Sequence, residues 1–343
     1  MKIGSWELAN PLILAPMAGV TDLPFRRMCR EHGAAMAVSE MVTSDQSLWH
    51  TKKTQLRLNH RDEYAPISVQ IAGTEPQQMA DAAKYNRDLG AQIIDINMGC
   101  PAKKVCRKAA GSALLRDEIK VSKILAAVVE AVDLPVTLKI RTGWSPSERN
   151  APEIARIAEA EGIQALAIHG RTRACGFKGQ AETQTVTNIK AKANIPIIAN
   201  GDIKSASQAL QVLNSTGADA IMIGRGAQGW PWIFEETLAL LNQDQDYRRP
   251  TIEQQQAVIT KHLLGLYDFY GEFMGVRIAR KHLGWYLVRS PEGKKYKQKI
   301  NQAEDTGTQL DVLNSFFENK IIKNNNRSRE SYGHARSFSS VTG

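Results

Sequence analysis

Eight short apolar runs, each followed by a segment with room for a helix and two loops, constrain the fold of this chain most strongly. The runs are nearly continuous in Ile, Val, Leu and Ala, as is typical of parallel strands that are buried on both faces. They are Leu12–Pro16, Ala35–Glu40, Ile67–Gly73, Ile93–Met98, Val136–Arg141, Ala165–His169, Pro196–Asn200 and Ala220–Gly224. Eight βα units in series predict an α/β fold, a (β/α)8 TIM barrel over roughly residues 10–240.

The segments between the runs contain the start and end signals of helices. Asp22 can cap a helix that places Phe25 and Met28 on one face and ends at Gly33, and Gly217 can end a helix before the last run. A doubly wound sheet of eight strands is the alternative. It is disfavoured because the Gly-rich fingerprint of a dinucleotide fold is missing after the first run.

The pattern changes at a polar linker that begins at residue 243, and a helical bundle is predicted beyond it. Three helical stretches follow the linker, at residues 251–270, 276–290 and 303–320. The end of the chain is rich in Asn, Ser and Arg with little apolar content, which predicts disorder. The expected parts are a barrel over 1–242, a helical domain over 243–321 and a disordered tail over 322–343.

The composition is that of an ordinary globular protein. Hydrophobic residues make up 43% and charged residues 23% of the 343 positions, which argues against wholesale disorder. No apolar run approaches the length of a membrane span, and the N-terminus lacks a signal-peptide pattern, so we expect a cytoplasmic protein with no membrane partner. The four cysteines contain no CxxC pair, so neither a disulfide framework nor a metal site is expected.

The positive charge of the chain is unevenly distributed. The formal net charge is +9, and residues 246–343 contain 16 Lys and Arg against 10 Asp and Glu, whereas the first 245 residues contain 28 against 25. A nearly neutral body with a basic C-terminal part favours a polyanion such as a nucleic acid as partner of that part. A solvated surface that keeps the protein soluble is the alternative.

A polar group lies at the end of nearly every predicted strand, where barrel enzymes place their reactive groups. The residues at or just after the strand ends are, in chain order, Pro16, Met17 and Ala18; Gln70; Asn97 and Cys100; Lys139 and Arg141; His169, Arg171 and Arg173; Asn200, Gly201 and Asp202; and Gly224 and Arg225. The barrel core requires none of these groups, so together they predict an active site.

The loops after the seventh and eighth strands are typical of a phosphate site. Asn200–Asp202 and Gly224–Gly226 expose backbone N–H groups without large side chains, and Arg225 adds a positive charge. The alternative is two tight turns that need glycine. The phosphate interpretation implies a phosphorylated cofactor or substrate.

Three side chains at the strand ends are candidates for chemistry. Lys139 lies within an apolar strand, where it could form a Schiff base, stabilise the electron-rich end of a redox ring, or pair with Asp95. Cys100 lies between Gly and Pro, so it is a candidate proton donor or nucleophile as well as a small buried hydrophobe. His169 shares the barrel mouth, the carboxyl end of the strands, with Lys139.

The predicted bundle carries a basic helix face. Arg277, Arg280, Lys281 and Gly284 are spaced as neighbours on one face, and the run over 294–299 interleaves lysines with a tyrosine. Basic residues among aromatic ones suit an RNA surface. The alternative is that the aromatic rings form the bundle core and the cations are solvated.

With these residues in place, the chain resembles the tRNA-dihydrouridine synthases, most closely their bacterial B-type subfamily, from about Ile3 to Glu318. Each motif is weak alone, but six of them in order at the ends of barrel strands are specific. The motifs are Ala15–Asp22, Asn97–Lys104, Lys139–Trp144, His169–Arg173, Asn200–Ile203 and Arg277–His282.

The resemblance implies an FMN-binding barrel, an RNA-binding helical domain and reduction by NADPH. It implies that reduced FMN passes hydride from N5 to C6 of a flipped uridine in the tRNA D-loop, with position 17 as the candidate, and that Cys100 protonates C5. The implied FMN ligands are Pro16, Met17, Ala18, Gln70, Lys139, His169, Asn200, Gly201, Asp202, Gly224 and Arg225. The implied RNA contacts are Asn97, Arg141, Arg171, Arg173, Arg277, Arg280 and Lys281. No obligate protein partner is implied, and a monomer is expected.

Two positions depart from the family pattern, namely Cys106, where many relatives carry a polar residue, and Trp230, where a basic or polar residue is common. Other classes stay open from the residues alone. They are a small-molecule flavin oxidoreductase, a Schiff-base aldolase built on Lys139, and an RNA-binding protein that has lost catalysis. The basic bundle argues against a small-molecule enzyme, and the intact Cys100 argues against loss of catalysis.

Overall fold

The computed structural model describes residues 1–337, and side chains as far as Lys323. Its strands are β1 (Lys2–Ile3), β2 (Trp6–Glu7), β3 (Leu12–Leu14), β4 (Met36–Val38), β5 (Val42–Thr43), β6 (Ile67–Ala72), β7 (Ile93–Met98), β8 (Val136–Arg141), β9 (Leu166–His169), β10 (Ile197–Asn200) and β11 (Ala220–Ile223). Each of the eight predicted runs contains one strand of a single parallel sheet.

That sheet closes on itself. Its strand order is β3–β4–β6–β7–β8–β9–β10–β11, and β11 pairs with β3 in parallel, with Ile221 opposite Leu12. The predicted (β/α)8 barrel is therefore confirmed, because a doubly wound sheet would leave two edges open. The sequence pattern did not predict the short strand β5. This strand pairs in parallel with the carboxyl end of β6, with Val42 opposite Ile71.

Helices surround the barrel and form the C-terminal part. They are α1 (Leu23–Glu31), α2 (Lys52–Arg57), α3 (Pro76–Asp88), α4 (Lys103–Arg107), α5 (Glu118–Ala131), α6 (Ala151–Ala160), α7 (Gln184–Lys190), α8 (Ala206–Thr216), α9 (Ile233–Leu241), α10 (Ile252–Tyr270), α11 (Glu272–Leu287), α12 (Gly293–Gln302) and α13 (Thr306–Ser337). Short 3-10 helices lie at Gln46–Leu48, Gly111–Arg116 and Arg225–Ala227. Among the described residues, no helix has both the length and the apolarity needed to cross a bilayer.

The predicted signals start and end the helices as expected. The Asp22 side chain accepts a hydrogen bond from the Phe25 backbone N–H at 3.1 Å and starts α1, which Gly33 follows at a φ of +99°. Gly217 ends α8 in the left-handed conformation at a φ of +66°. These local signals set the start of α1 and the ends of α1 and α8.

The amino end of the barrel is filled by side chains. The antiparallel pair β1–β2 places Ile3 against Ile13, Ile93 and Ile198, which all lie in one buried cluster. An apolar plug at this end leaves the carboxyl ends of the strands as the place for a site.

The chain divides into two compact units. One consists of residues 1–227 and 231–247, and the other of residues 228–230 together with the chain from Arg248 onward. The expected boundary between residues 242 and 243 falls slightly before this division.

The second unit contains α10 to α13. Thr251 and Gln254 form a reciprocal capping box that starts α10. The buried Gln309 side chain of α13 accepts from the Tyr267 hydroxyl at 2.8 Å and donates to the Val276 carbonyl at 3.1 Å, which connects three helices. Helix α12 was not predicted from the sequence, although Tyr296 and Ile300 in its basic run stand at helical spacing.

Disorder was expected over 322–343, a prediction that stays untested, and the structure assigns α13 as far as Ser337. Residues 338–343 lie outside the described residues. The segment has no proline and follows a helix that is already packed, and each residue added to an existing helix gains a hydrogen bond without a new nucleation step.

Candidate active site

Lys139, in the middle of β8, is half-buried at the barrel mouth and hydrogen-bonded to β10, two strands away. Its Nζ donates to Asn200 Oδ1 at 3.0 Å, and Asn200 Nδ2 donates to the Met222 carbonyl at 2.6 Å. Burial, reinforced by the positive charge of Arg141, lowers the pKa of Lys139 to about 8. The side chain is therefore mostly protonated at neutral pH, and its pKa lies close to neutral pH.

The alternative pairing of Lys139 with Asp95 is not formed, because Asp95 has other partners. Its carboxylate accepts from Thr137 Oγ1 and Gln70 Nε2, both at 2.7 Å. Burial raises the pKa of Asp95 to about 6 in spite of these bonds. Gln70, expected to contact the cofactor, thus also connects Asp95 to the next strand.

A hydrogen-bond chain continues from Gln70 to the Cys100 loop. Asn97 Nδ2 donates to Gln70 Oε1 at 2.7 Å, and Asn97 Oδ1 accepts the backbone N–H groups of Gly99 and Cys100 at 3.1 and 3.0 Å. Asn97 was expected to contact RNA. The structure shows it orienting the backbone that carries Cys100.

Cys100 is half-buried at the mouth, and burial raises the pKa of its thiol. Its carbonyl accepts from the Ser112 hydroxyl at 2.8 Å and the Ser112 N–H at 3.1 Å, and Cys106 Sγ lies 3.6 Å from the same oxygen. A Cβ on Gly111 would lie 2.8 Å from it. Sequence reasoning missed Gly111 and Ser112, since no local pattern connects them to a loop a dozen residues earlier.

His169 ends β9 and is only 8% exposed. Burial, together with the charges of Lys139, Arg141 and Arg171, lowers its pKa to about 2, so the ring is neutral. Arg171 Nη1 lies 3.4 Å from His169 Nε2, and a guanidinium can only donate, which assigns the ring proton to Nδ1.

Arg141 holds loops together. Its guanidinium donates to the carbonyls of Gly99, Thr172 and Gly176 at 2.9, 3.0 and 2.8 Å, and the residue is 2% exposed. Arg141 was expected to contact RNA, and that role stays a prediction. In the structure its donors face backbone carbonyls and join the Cys100 loop to the loop after β9.

Arg171, also expected to contact RNA, is likewise bound within the protein. Its side chain is 2% exposed, forms a two-pronged pair with Asp202 at 3.0 and 2.5 Å, and donates to the carbonyls of Lys178 and Gly179. Asp202 also accepts from Arg225 at 3.2 Å. The pair fixes the loop after β9 against the loop after β10.

The expected phosphate loops contain unused donors. In the part of the chain that the structure describes, the backbone N–H groups of Gly201, Asp202, Gly224 and Arg225 have no acceptor. Three of these residues, Gly201, Asp202 and Arg225, line a cavity of about 660 Å³. Gly201 has a φ of +134°, and a Cβ there would lie 2.6 Å from the Ala181 Cβ. The donor set and the absence of side-chain bulk fit a phosphate.

The loop after β3 forms the adjoining wall. The Met17 N–H is held by the Thr21 hydroxyl at 2.9 Å, and a Cβ on Gly224 would lie 3.4 Å from Met17 Sδ. Pro16 and Ala18 flank Met17 in the same loop. The predicted residues therefore face one mouth, as the strand order requires. They lie at the ends of β3 and of β6 to β11.

One aromatic side chain at the mouth was missed by the sequence analysis. Phe177 is 58% exposed, with the guanidiniums of Arg225 and Arg141 4.8 and 5.5 Å from its ring centre. The available signal was a single aromatic residue in an otherwise polar loop. Arg173, from the same loop, is half-buried and stacks on Trp144 at 4.4 Å.

The basic residues predicted for the bundle lie on α11. Arg277 is exposed and covers the Phe273 ring, whereas Arg280 is half-buried and donates to the Ala303 carbonyl at 2.7 Å. Lys281 is half-buried as well. Of the three, Arg277 is the most exposed cation, and Arg280 contributes to the packing of α11 against α12.

A closed barrel with titratable groups and open N–H donors at the carboxyl ends of its strands is typical of an enzyme. Comparisons with known proteins identify the family. A family model described as dihydrouridine synthase (Dus) matches residues 13–324. The chain is 56% identical to tRNA-dihydrouridine synthase B of Pseudomonas putida over 92% of this chain and 94% of that one. It is 55% identical to the Proteus vulgaris enzyme of the same name over 94% of this chain and 100% of that one.

Solved structures share the fold alone. Histamine dehydrogenase from Rhizobium sp. 4-9 superposes with a TM-score of 0.55 at 14% identity, covering 77% of this chain and 50% of that one. A 2-naphthoyl-CoA reductase superposes at 0.54 with 14% identity, covering 71% and 51%. The chain spans about half the length of these two proteins.

The chain belongs to the dihydrouridine synthase family. This membership confirms the resemblance found in the sequence, including the B-type character, since the curated relatives carry that name. The expected enzyme class, a flavin-dependent oxidoreductase that forms dihydrouridine, is confirmed with it.

Proposed function

We propose that this chain reduces the C5=C6 bond of a uridine in the D-loop of tRNA, using FMN and NADPH, with position 17 as the candidate uridine. The names of the relatives support tRNA as the substrate. The observation that carries the proposal is the convergence at one barrel mouth of the Cys100 loop, the Lys139 cation and the open donors of Gly201 and Gly224.

The residues present fit FMN. The N–H groups of Gly201, Asp202, Gly224 and Arg225 would hold its phosphate, and Met17, Gln70, Lys139, His169 and Asn200 would surround its ring, beside Pro16 and Ala18. Bound FMN would supply hydride transfer from NADPH to C6 of the uracil ring. Because Asp202 is paired with Arg171, its role is to orient the phosphate loop.

Cys100 would protonate C5 of the uracil ring. A proton donor must be a thiol at working pH, and burial raises the pKa of Cys100 in the required direction. The Asn97 amide and the Ser112 hydroxyl hold the loop from both sides, so the thiol is placed by rigid neighbours. Its release of a proton completes the saturation of the ring.

Lys139 and His169 would stabilise the negative charge that develops at O4 as the ring is reduced. The Lys139 ammonium has donors left beyond the one given to Asn200. The neutral His169 ring can donate a hydrogen bond from Nδ1 although it carries no positive charge. A fixed donor of this kind contributes roughly a hundredfold to a thousandfold in rate.

The second unit would bind tRNA outside the active site. A flipped uridine needs the surrounding RNA held elsewhere, and residues 246–343 carry most of the net positive charge. Arg277 and the lysines of α12 are exposed for this role. The working form would be a cytoplasmic monomer without an obligate protein partner.

The experiment is spectroscopic. The purified protein should show a flavin absorption band that bleaches with NADPH in the absence of oxygen and returns on addition of unmodified tRNA. Bleaching without recovery would instead indicate a small-molecule flavin enzyme. A colourless protein that FMN cannot reconstitute would overturn the site assignment.

The role of Cys100 has its own test. Cys100→Ala should keep FMN and the NADPH step but lose most tRNA reduction, by roughly a hundredfold or more, because proton transfer to C5 has no donor. Cys175→Ala is the matched control, since that thiol lies in the loop after β9 and accepts from Thr172. Normal tRNA turnover by Cys100→Ala would exclude the donor role.

A further inference from the structure

The loop that carries Cys100 continues into an unusually basic short helix. Within α4 and its C-cap, Lys103, Lys104, Arg107 and Lys108 are all exposed. No ion pair involves any of the four in the described part of the chain. They form two like-charged pairs at a spacing of four residues, which destabilises a helix, and the first two stand where the helix dipole disfavours cations.

Next to α4 lies a stack of two arginines on one tryptophan. The guanidinium of Arg116 lies 5.1 Å from the Trp144 ring centre, and that of Arg173 lies 4.4 Å from it. The three residues come from the loops after β7, β8 and β9, and all stand at the carboxyl end of the barrel. Arg173 Nε is buried without a hydrogen-bond partner among the described residues.

The two features form one surface. Helix α4 packs on the 3-10 helix that ends at Arg116, since a Cβ on Gly111 would lie 3.0 Å from Val105 Cγ1. The β8 and β9 loops are joined by backbone bonds from Arg173 to Gly143 and from Ala174 to Trp144, both 2.9 Å. We call this surface, made of the α4 cations and the Arg116–Trp144–Arg173 stack, the rim face.

We propose that the rim face is an RNA-backbone binding surface carried by the barrel itself, beside Cys100. This inference rests on the proposed function and names how the barrel takes part in holding the substrate. Cations free of acidic partners suit phosphates, and arginines held flat by an aromatic ring keep their outward donors in a fixed plane. Because the rim face adjoins the Cys100 loop, it would grip nucleotides that flank the extruded uridine.

The test uses the full-length flavin-loaded protein and unmodified tRNA. Arg107→Ala combined with Lys108→Ala, and separately Arg116→Ala, should weaken tRNA binding about tenfold. The double variant should also lower the slope of log Kd against log salt by about one per lost phosphate contact. Flavin absorbance and bleaching by NADPH should stay at the level of the unmodified protein. Trp144→Phe, which keeps a flat ring, should bind tRNA more tightly than Trp144→Ala.

The matched control is Lys2→Ala combined with Lys192→Ala, since both lysines are exposed and lie toward the amino ends of the barrel strands. The control should bind tRNA like the unmodified protein. An unchanged Kd and salt slope in the Arg107 and Lys108 variant would overturn the rim face and leave RNA binding to the second unit. If the unmodified protein binds tRNA but does not reduce it, the proposed function fails while the binding comparison still decides the rim face.

Discussion

At the scale of single residues, burial sets the protonation states that the proposed chemistry needs. The Cys100 thiol is kept protonated, the His169 ring is kept neutral, and the Lys139 ammonium is brought to a pKa of about 8. These three groups share one mouth, so their charges also act on one another. The site is therefore poised to donate protons and to stabilise negative charge.

Lys139 predicts a pH dependence. Its pKa is lowered to about 8, so it is charged below that pH and loses its charge as the pH rises through it. The rate of flavin reoxidation by tRNA should fall above about pH 8, and rapid mixing at a series of pH values would measure it. Lys139→Met should be roughly a hundredfold slower and lack this limb. A flat profile for the unmodified protein would remove Lys139 from the charge-stabilising role.

Glu63 predicts a stability effect away from the site. Burial by itself raises its pKa, but the ion pair with Arg26 at 2.5 Å and the contact with His60 outweigh burial and lower it to about 2. The stabilisation is therefore complete above the ordinary carboxyl pKa of 4.5 and is lost as the pH falls through about 2. Glu63→Gln should lower the free energy of unfolding by about 3 kcal/mol at neutral pH, because it leaves Arg26 buried without its charge partner.

Urea denaturation would measure this change. Glu153→Gln is the control, because its pair with Arg156 is exposed at the surface and should have little effect on unfolding. Equal effects of the two substitutions would show that the buried pair has no special role in stability.

At the scale of elements, the loops after β10 and β11 depend on glycine for access to the backbone. Gly201→Ala should lose flavin, because its φ of +134° disfavours a side chain and the added Cβ would lie 2.6 Å from the Ala181 Cβ. Gly217→Ala is a matched control with a φ of +66° and open space around it. It should reduce stability by about 1 kcal/mol and keep the flavin band. Flavin absorbance after gel filtration would compare the two, and retention of flavin by Gly201→Ala would argue against the phosphate loop.

At the scale of the whole molecule, the net charge of +9 predicts an electrostatic grip on RNA. The affinity for tRNA should fall tenfold or more between about 50 and 200 mM salt, because each phosphate contact releases counterions. The NADPH step should respond much less. Binding titrations at several salt concentrations would measure the affinity for tRNA, and flavin bleaching at the same concentrations would measure the NADPH step. Binding of tRNA that is independent of salt would contradict a polyanion surface.

Much of the architecture was accessible from the sequence because its signals are local. Runs of Ile and Val, the Asp22 cap and the Gly217 end mark each strand and helix within a few residues of themselves. The omission of α12 was also local in origin, since its basic composition hid its helical spacing.

The sequence by itself determined that this chain forms a barrel and at which end its reactive groups collect, since strand pattern and chain direction settle both. The tertiary structure alone decided which of those groups are available. In the structure, Arg141 donates to backbone carbonyls and Arg171 pairs with Asp202. Lys139 pairs with Asn200 instead of Asp95. Arg116 and Arg173 stack on Trp144. The physical reason is that hydrogen-bond partners and burial come from residues far apart in the chain, and these set both charge state and accessibility.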